Sequence, residues 1–435
     1  MILDIMDRRN FIRASLLAGA GLCLTDWKNA FAAGCHDIRA GKPWQGWKEG
    51  QFQIHFIYTG VAESMFLIFP DGTTMLLDCG DFDALARGEK AVPLLPSPER
   101  HSGEWIARYV TRVNPAITDV DYMLLSHYHN DHAGSDRFYA EKIIRDGEEY
   151  CLSGFSQAAE TLSFRKAIDR CWPDYDDPIP NTTDGGDPDT GEHMKRFYRY
   201  MQKHRGLEIE KFRLGATDQI VQLKHPGRYP SFKVRNICAN GRIAAEDGTI
   251  IDLYEEVKKT NPLKLNENAM SLGMVFQYGP FRFYTAGDFS ARIKNPNGEK
   301  VFLEDCIADV CGPANVAKLN HHGHNSMSRK LVGALRSQVY VSCVWDQLHN
   351  LPPCMELLAD RTIYPDDRII CPTIMPAERR AKDGDAEWMK DIARDSYEGG
   401  HVVVNVEKGG KRYSVSYLTA RDESMTVRSV MHFKA

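Results

Sequence analysis

The sequence lacks a hydrophobic run long enough to cross a bilayer; the apolar stretch at residues 14–24 falls well short of the roughly 20 residues a spanning helix needs. It also lacks any Cys-x-x-Cys pair. Its 11 cysteines are scattered, which argues against a zinc ribbon and gives no sign of a disulfide scaffold. No run of basic residues stands out and the formal net charge is −5, so the clustered basic surface of a nonspecific nucleic-acid binder is missing from the pattern. Internal repeats and coiled-coil heptads are absent too. In other respects the composition is ordinary: at 43% hydrophobic, 435 residues can bury a substantial core.

Residues 1–32 read as a targeting segment rather than as part of the fold. Asp7-Arg8-Arg9-Asn10-Phe11-Ile12-Arg13 resembles a twin-arginine export motif, and the apolar stretch after it leads to the small-residue end Ala30-Phe31-Ala32-Ala33. Cleavage is expected after Ala32, with a periplasmic location for the mature chain. Lipoprotein processing ahead of Cys35 is the alternative, weakened by the polar residues 25–29 between Cys35 and the apolar core. The segment holds four Arg or Lys and three Asp, so its removal leaves a formal charge of −6.

The most informative feature is Ser126-His127-Tyr128-His129-Asn130-Asp131-His132-Ala133-Gly134, directly after the apolar Tyr122-Met123-Leu124-Leu125. Imidazole and carboxylate together suit zinc, manganese or iron. At the end of a strand His127 and His129 point the same way, because side chains alternate with period two. A turn into a helix at Ala133-Gly134 then lets Asp131 and His132 face an ion. That is ligand supply for two metals, and it weighs against a merely solvated His-rich loop.

The His-x-His-x-Asp-His spacing resembles the signature of the metallo-β-lactamase superfamily, and further matches follow in order. Thr285-Ala286-Gly287-Asp288 resembles its Gly-Asp motif, and Lys318-Leu319-Asn320-His321-His322-Gly323 its His-His-Gly motif. Residues 60–80, with Phe69-Pro70-Asp71-Gly72 and Asp78-Cys79-Gly80, resemble the opening of the hydrolase domain in bacterial competence (DNA-uptake) proteins. Asn268-Ala269-Met270-Ser271-Leu272 fits the same branch, and the phosphorylcholine esterase branch is similar in layout. The resemblance covers residues 52 to 360 apart from a middle insertion.

It implies an α/β fold, a four-layer αββα sandwich over residues 33–435, with the site on the seam between two sheets. It also implies two divalent ions, zinc first, with manganese or iron as alternatives. His127 and His129 would hold one ion, Asp131 and His132 the other; Asp288 would bridge them, and one of His321 or His322, with His322 beside Gly323 favoured, would complete the second site. Asp131, Asp288 and His321 are the candidate catalytic residues, His321 as an oxyanion-stabilising neighbour. Asp78 is expected to hydrogen-bond a ligand histidine, and Lys318 to be structural.

The chain departs from the family pattern in one respect. A third histidine for the first ion usually comes from between His132 and Asp288. His193 and His204 fall there in a charged helical stretch, and His225 precedes Pro226-Gly227 as a turn residue. Asn268 or Ser271 is expected to approach the site instead.

Strands are read at residues 54–58, 121–126, 232–237, 271–278, 281–285, 316–320 and 339–344, helices at 105–113, 194–204 and 328–335, and a terminal hairpin at 401–406 and 412–418. Residues 137–215 lack core periodicity and read as an insertion, a lid or substrate selector. Cys79 is expected to be buried, Cys306 and Cys311 to flank an apolar strand, and His349 to sit in a turn close to the site. The favoured function is a binuclear phosphodiesterase or phosphoesterase acting on a small exported or envelope-derived substrate. A carboxylate bridge in place of cysteine argues against antibiotic hydrolysis. The alternatives are a nuclease with a basic groove at Lys195, Arg196, Arg199 and Lys203, a lactonase, and an envelope binding protein with a degraded site.

Overall fold

Short segments rich in β-branched and aromatic residues, punctuated by Gly and Asp turns, build the strands of this protein. The computed structural model describes residues 38–82, 88–135, 140–175, 177, 188–253, 266–289, 292–294, 300–344 and 346–435. The expected export segment at residues 1–32, and Cys35, lie outside the described residues; Ile38–Ala435 forms one unit.

In chain order the first strands are β1 (Phe52–Phe56), β2 (Ser64–Ile68), β3 (Thr74–Cys79), β4 (Asp119–Leu124), β5 (Glu141–Arg145), β6 (Glu148–Leu152), β7 (Ser163–Asp169) and β8 (Glu208–Lys211). They are followed by β9 (Phe232–Ala239), β10 (Arg242–Ala244), β11 (Ile250–Asp252), β12 (Gly273–Tyr278), β13 (Phe281–Thr285), β14 (Arg292–Lys294) and β15 (Lys300–Phe302). The last six are β16 (Val316–Lys318), β17 (Val339–Ser342), β18 (Ile369–Pro372), β19 (Gly400–Val406), β20 (Arg412–Thr419) and β21 (Val427–Lys434). Helices α1 (Ser102–Val113), α2 (Asn130–Ala133), α3 (Pro188–Arg205), α4 (Glu304–Cys311), α5 (Arg329–Leu335) and α6 (Pro352–Ala359) complete the frame.

Among the described residues one sheet runs β21-β20-β19-β1-β2-β3-β4-β7-β8 and the other β11-β10-β9-β12-β13-β16-β17-β18. Their inner faces meet through Phe52, Ile54, Met65 and Leu67 on one side and Met274, Phe276, Phe283 and Val316 on the other. The Phe52 and Phe276 rings stack at 6.0 Å. Outside the first sheet, Phe66, Leu76 and Met123 pack on Ile106, Val110 and Val113 of α1, whose 3- and 4-residue spacing is that of an amphipathic helix. Outside the second, Tyr284, Ala317 and Tyr340 pack on Ile307, Leu331, Leu335 and Met355. The layers are therefore helix, sheet, sheet, helix: the four-layer αββα sandwich.

Several elements differ from the sequence reading. Within residues 137–215, read as an insertion, β7 and β8 extend the first sheet in parallel from β4, and α3 buries Met194, Phe197 and Tyr198 against its outer face. Charge hid these strands: Lys166 of β7 pairs across to Glu210 of β8 at 2.6 Å, so the exposed side carries ions. Cys306 and Cys311 lie on helix α4 rather than beside a strand, with Ile307, Ala308 and Cys311 turned to the core at helical spacing. The strand at 316–320 ends at Lys318, and Asn320–Gly323 forms a tight turn. The terminal hairpin gains a third strand, β21, and joins the first sheet through β19 and β1.

Candidate metal centre

Ligand-type residues gather where parallel strands of both sheets reach their carboxyl ends, the usual place for a site in α/β architecture. Strands β3 and β4 run parallel and deliver Asp78 and the 126–132 loop. Strands β13, β16 and β17 run parallel in the other sheet and deliver Asp288, the His321-His322 turn and the turn carrying Asp346 and His349. The loops are locked together by close backbone approach. A Cβ on Gly80 would meet the Asp131 carbonyl oxygen at 1.8 Å. Gly80→Ala should therefore push the β3 turn away from the metal loop and cost about 1–3 kcal/mol, as overpacking does; the denaturant midpoint, measured with metal content, checks this.

His132 is aimed by its neighbours. Asp78 accepts hydrogen bonds from Ser126 N and Oγ, both at 2.7 Å, and lies 2.8 Å from His132 Nδ1. The other ring nitrogen, Nε2, then lies 3.3 Å from Asp288 Oδ2 and 3.7 Å from Asp131 Oδ2. Across the seam, His322 Nδ1 lies 2.9 Å from Glu63 Oε2 while its Nε2 lies 3.1 Å from both Asp131 Oδ2 and Asp288 Oδ2. His321 and His322 both adopt left-handed backbone, φ 45° and 51°, ahead of Gly323 at φ 77°. Such a turn costs non-glycine residues on the order of 1–3 kcal/mol each and persists where its surroundings hold it. Here Ser342 Oγ donates to His322 O and Ser326 Oγ to Asn320 O.

The cluster fits a divalent ion. Two imidazoles and two carboxylates form the donor set, and a tetrahedral ion with bonds of about 2.1 Å would space its ligands by about 3.4 Å. The separations of 3.1, 3.1 and 3.3 Å match that spacing, and the fourth, 3.7 Å, is slightly wider. His132 Nε2 and Asp288 Oδ1 are buried yet make no hydrogen bond, an arrangement that asks for a partner. Glu63, His132, Asp288 and His322 can each place one ligand atom within 4.8 Å of the others. Beside them, His127 Nε2 lies 3.0 Å from His129 Nδ1, and the His127 ring centroid is 4.2 Å from that of His132. The six residues assigned to metal in the sequence are thus brought to one place.

Charge follows geometry. Burial pushes the Asp131 and Asp288 carboxyls up, but His132 and His322 outweigh it and hold both below the ordinary range. In return His132 and His322, although buried, are raised well above the ordinary imidazole by Asp288, Asp131 and their other acidic neighbours. His127 is pushed well below it by burial, then by His132 and His129, so its imidazole is neutral with a lone pair to offer.

The remaining expectations divide. His321 stands at the rim, its side chain 25% exposed, with Nε2 4.0 Å from Asp288 Oδ2 and 3.3 Å from Asn268 Nδ2. Ser271 Oγ accepts from Asp288 N at 3.1 Å, so both polar residues of that segment reach the site's surroundings. The three histidines considered as a further ligand contact other things: His193 Nε2 lies 3.2 Å from Ser153 O, His204 stacks on Tyr200, and His225 donates its backbone N–H to Asp71. His349 is buried, with Nδ1 2.8 Å from Asp346 Oδ1 and its ring 5.1 Å from His322. Cys79 is a buried free thiol. Sequence reasoning missed Glu63 altogether. A single carboxylate in Val61-Ala62-Glu63-Ser64 carries no spacing signal, and only its full burial ahead of a strand marks it. Lys318, expected to be structural, lies 3.0 Å from Glu63 and 3.6 Å from Asp288.

Comparison with known families bears on the first-sheet side of the cluster. A family model described as the metallo-beta-lactamase superfamily matches residues 58–144, which include Glu63, Asp78 and His127 to His132. That match supports the superfamily. No curated protein compared with the chain matches it.

Proposed function

We propose that this chain is a binuclear metal-dependent phosphoesterase, zinc being the favoured metal, that acts on a small exported or envelope-derived phosphodiester or phosphomonoester. The observation that carries the reading is the convergence of Asp131, Asp288 and the Nε2 atoms of His132 and His322 within about 3–4 Å, beside the His127 and His129 pair. In this reading Asp131, His132, Asp288 and His322 would hold one ion, and His127 and His129, with Asp288, would hold the other. Divalent ions bound there supply Lewis acidity towards a phosphoryl oxygen and acidify water at neutral pH.

The residues supply placement. Asp131 and Asp288 bring the negative charge that retains cations, and an all-nitrogen-and-oxygen donor set without cysteine suits phosphoester chemistry better than antibiotic hydrolysis. His321 is pushed down to about 3 by burial, which outweighs Asp288, so it stays neutral. At the rim it can hydrogen-bond a substrate oxygen. Lys195 and Lys203 pair with Glu192 and Glu148, which weakens the case for a nucleic-acid groove on that helix. Residues 1–32 are the proposed export signal. Among the described residues no helix is long and apolar enough to cross a membrane.

The test is metal content by plasma mass spectrometry together with hydrolysis of bis-p-nitrophenyl phosphate with and without chelator. About two ions per chain and turnover abolished by chelator is the expected result. Well under one ion after loading, without turnover, would replace the enzyme with a binding protein.

A further inference from the structure

Glu63 and Lys318 form a buried charge pair that the roles above leave unused. Both are 0% exposed, and Glu63 Oε1 lies 3.0 Å from Lys318 Nζ. The Glu63 backbone is stitched to the site from two sides: its N–H donates to Asp131 O at 2.8 Å and its carbonyl accepts from Gly80 N at 3.2 Å. Lys318 is held just as firmly, donating to Gly287 O at 2.8 Å and Leu319 O at 3.1 Å. An ammonium has three donors; two go to these carbonyls, and Glu63 faces the same cation as an ion pair. Removing two charges from water is costly, and replacing such a pair by apolar residues often stabilises a protein. Its presence here calls for a use.

Two uses compete. Glu63 has an oxygen close enough to the cluster to be a ligand itself. Its contacts point elsewhere, however. Oε2 lies 2.9 Å from Nδ1 of His322, whereas Nε2 is the nitrogen that faces Asp131 and Asp288. Oε1 faces the Lys318 cation, which competes with a metal for the same lone pairs. A carboxylate at Nδ1 keeps the proton on that nitrogen, so that Nε2 is the nitrogen an ion would deprotonate and bind. Asp78 stands in the same relation to Nδ1 of His132, so each sheet contributes one histidine with a carboxylate behind it.

We propose that Glu63 is a positioning residue that fixes the tautomer and orientation of His322, and that Lys318 holds Glu63 in place and anchors the Gly287-Asp288 turn. The inference rests on the reading of His322 as a metal ligand. It makes Glu63 a residue acting through His322.

The test uses the full chain, zinc alone as probe, and the double variant Glu63→Gln/Lys318→Met, which removes both charges so that neither stays buried without its partner. The expected result is unchanged zinc stoichiometry, a zinc affinity in chelator competition weaker by about 10–100-fold, and loss of the His322 Nδ1–H signal in spectra of histidine-15N-labelled protein. A merely structural role would lower stability without moving that signal, and would overturn the proposal. So would loss of a whole zinc equivalent, which would make Glu63 a ligand. Should the double variant fail to fold, the zinc-loaded wild type decides: His322, identified by comparison with His322→Gln, must carry its proton on Nδ1, and a proton on Nε2 overturns the inference. A wild type that takes up no zinc would bring down the metal reading and this role with it, whereas normal uptake with an unaltered double variant removes this role alone.

Discussion

Replacing Asp288 by asparagine should abolish chelator-sensitive phosphoester hydrolysis while leaving the fold intact. Its carboxylate is where the two sides of the seam meet: Oδ2 lies 3.3 Å from His132 Nε2, carried by the first sheet, and 3.1 Å from His322 Nε2, carried by the second. Outer residues that only orient a ligand typically cost 10–100-fold, so loss of a shared ligand should exceed about 100-fold in kcat/KM. Asparagine has nearly the same volume, and the backbone is held independently, since Asp288 N donates to Ser271 Oγ at 3.1 Å. Metal content should fall in step with turnover. Steady-state kinetics and mass spectrometry on the same preparation check this; a variant that keeps two ions and within tenfold of wild-type turnover would remove Asp288 from the site.

The second large effect is on stability. Arg170 is fully buried and donates through Nε and a terminal nitrogen to Glu267, both at 2.8 Å, with another terminal nitrogen 3.0 Å from Asn240 Oδ1. Its guanidinium lies 4.4 Å over the ring of Tyr128, which stands between His127 and His129. Glu267 also accepts from Tyr128 N at 2.9 Å, and Tyr128 donates to Asp169 at 2.5 Å. The network clamps the metal loop to the Glu267–Met270 turn ahead of β12. Arg170→Met leaves Glu267 charged and buried without its partner, at a cost of about 3–5 kcal/mol. Arg170→Met/Glu267→Gln should recover much of that loss, because the unpaired charge rather than the lost contact dominates. Urea unfolding of both variants measures the difference, and a single variant within about 1 kcal/mol of wild type would show that the clamp contributes little.

Local chemistry made the heart of the site legible. His127 to His132 stand in six consecutive positions after a strand, so alternation and one turn suffice to bring them together. The glycine-flanked Asp288 and His322 were readable for a related reason: each follows an apolar strand whose end projects its next residues into the seam. The strands themselves announced their inner faces by burying Phe52, Ile54, Phe276 and Phe283. Charged strands escaped notice, because Lys166 and Glu210 satisfy each other only when β7 and β8 lie side by side.

By itself the sequence determined the strands that lead to the site, the order of the metal-type residues and the donor chemistry on offer, since each depends on neighbours within a strand or a turn; the two-sheet frame was legible only through the family resemblance. Tertiary structure alone decided how those donors are oriented. Glu63 reaches His322 and Lys318, and Arg170 reaches Glu267 across 97 positions, through contacts that exist only once the sheets have packed. A buried carboxylate's partner is set by which strands end at the same seam. Spacing along the chain encodes the candidate ligands, and packing across it turns the imidazoles of His132 and His322 towards Asp131 and Asp288.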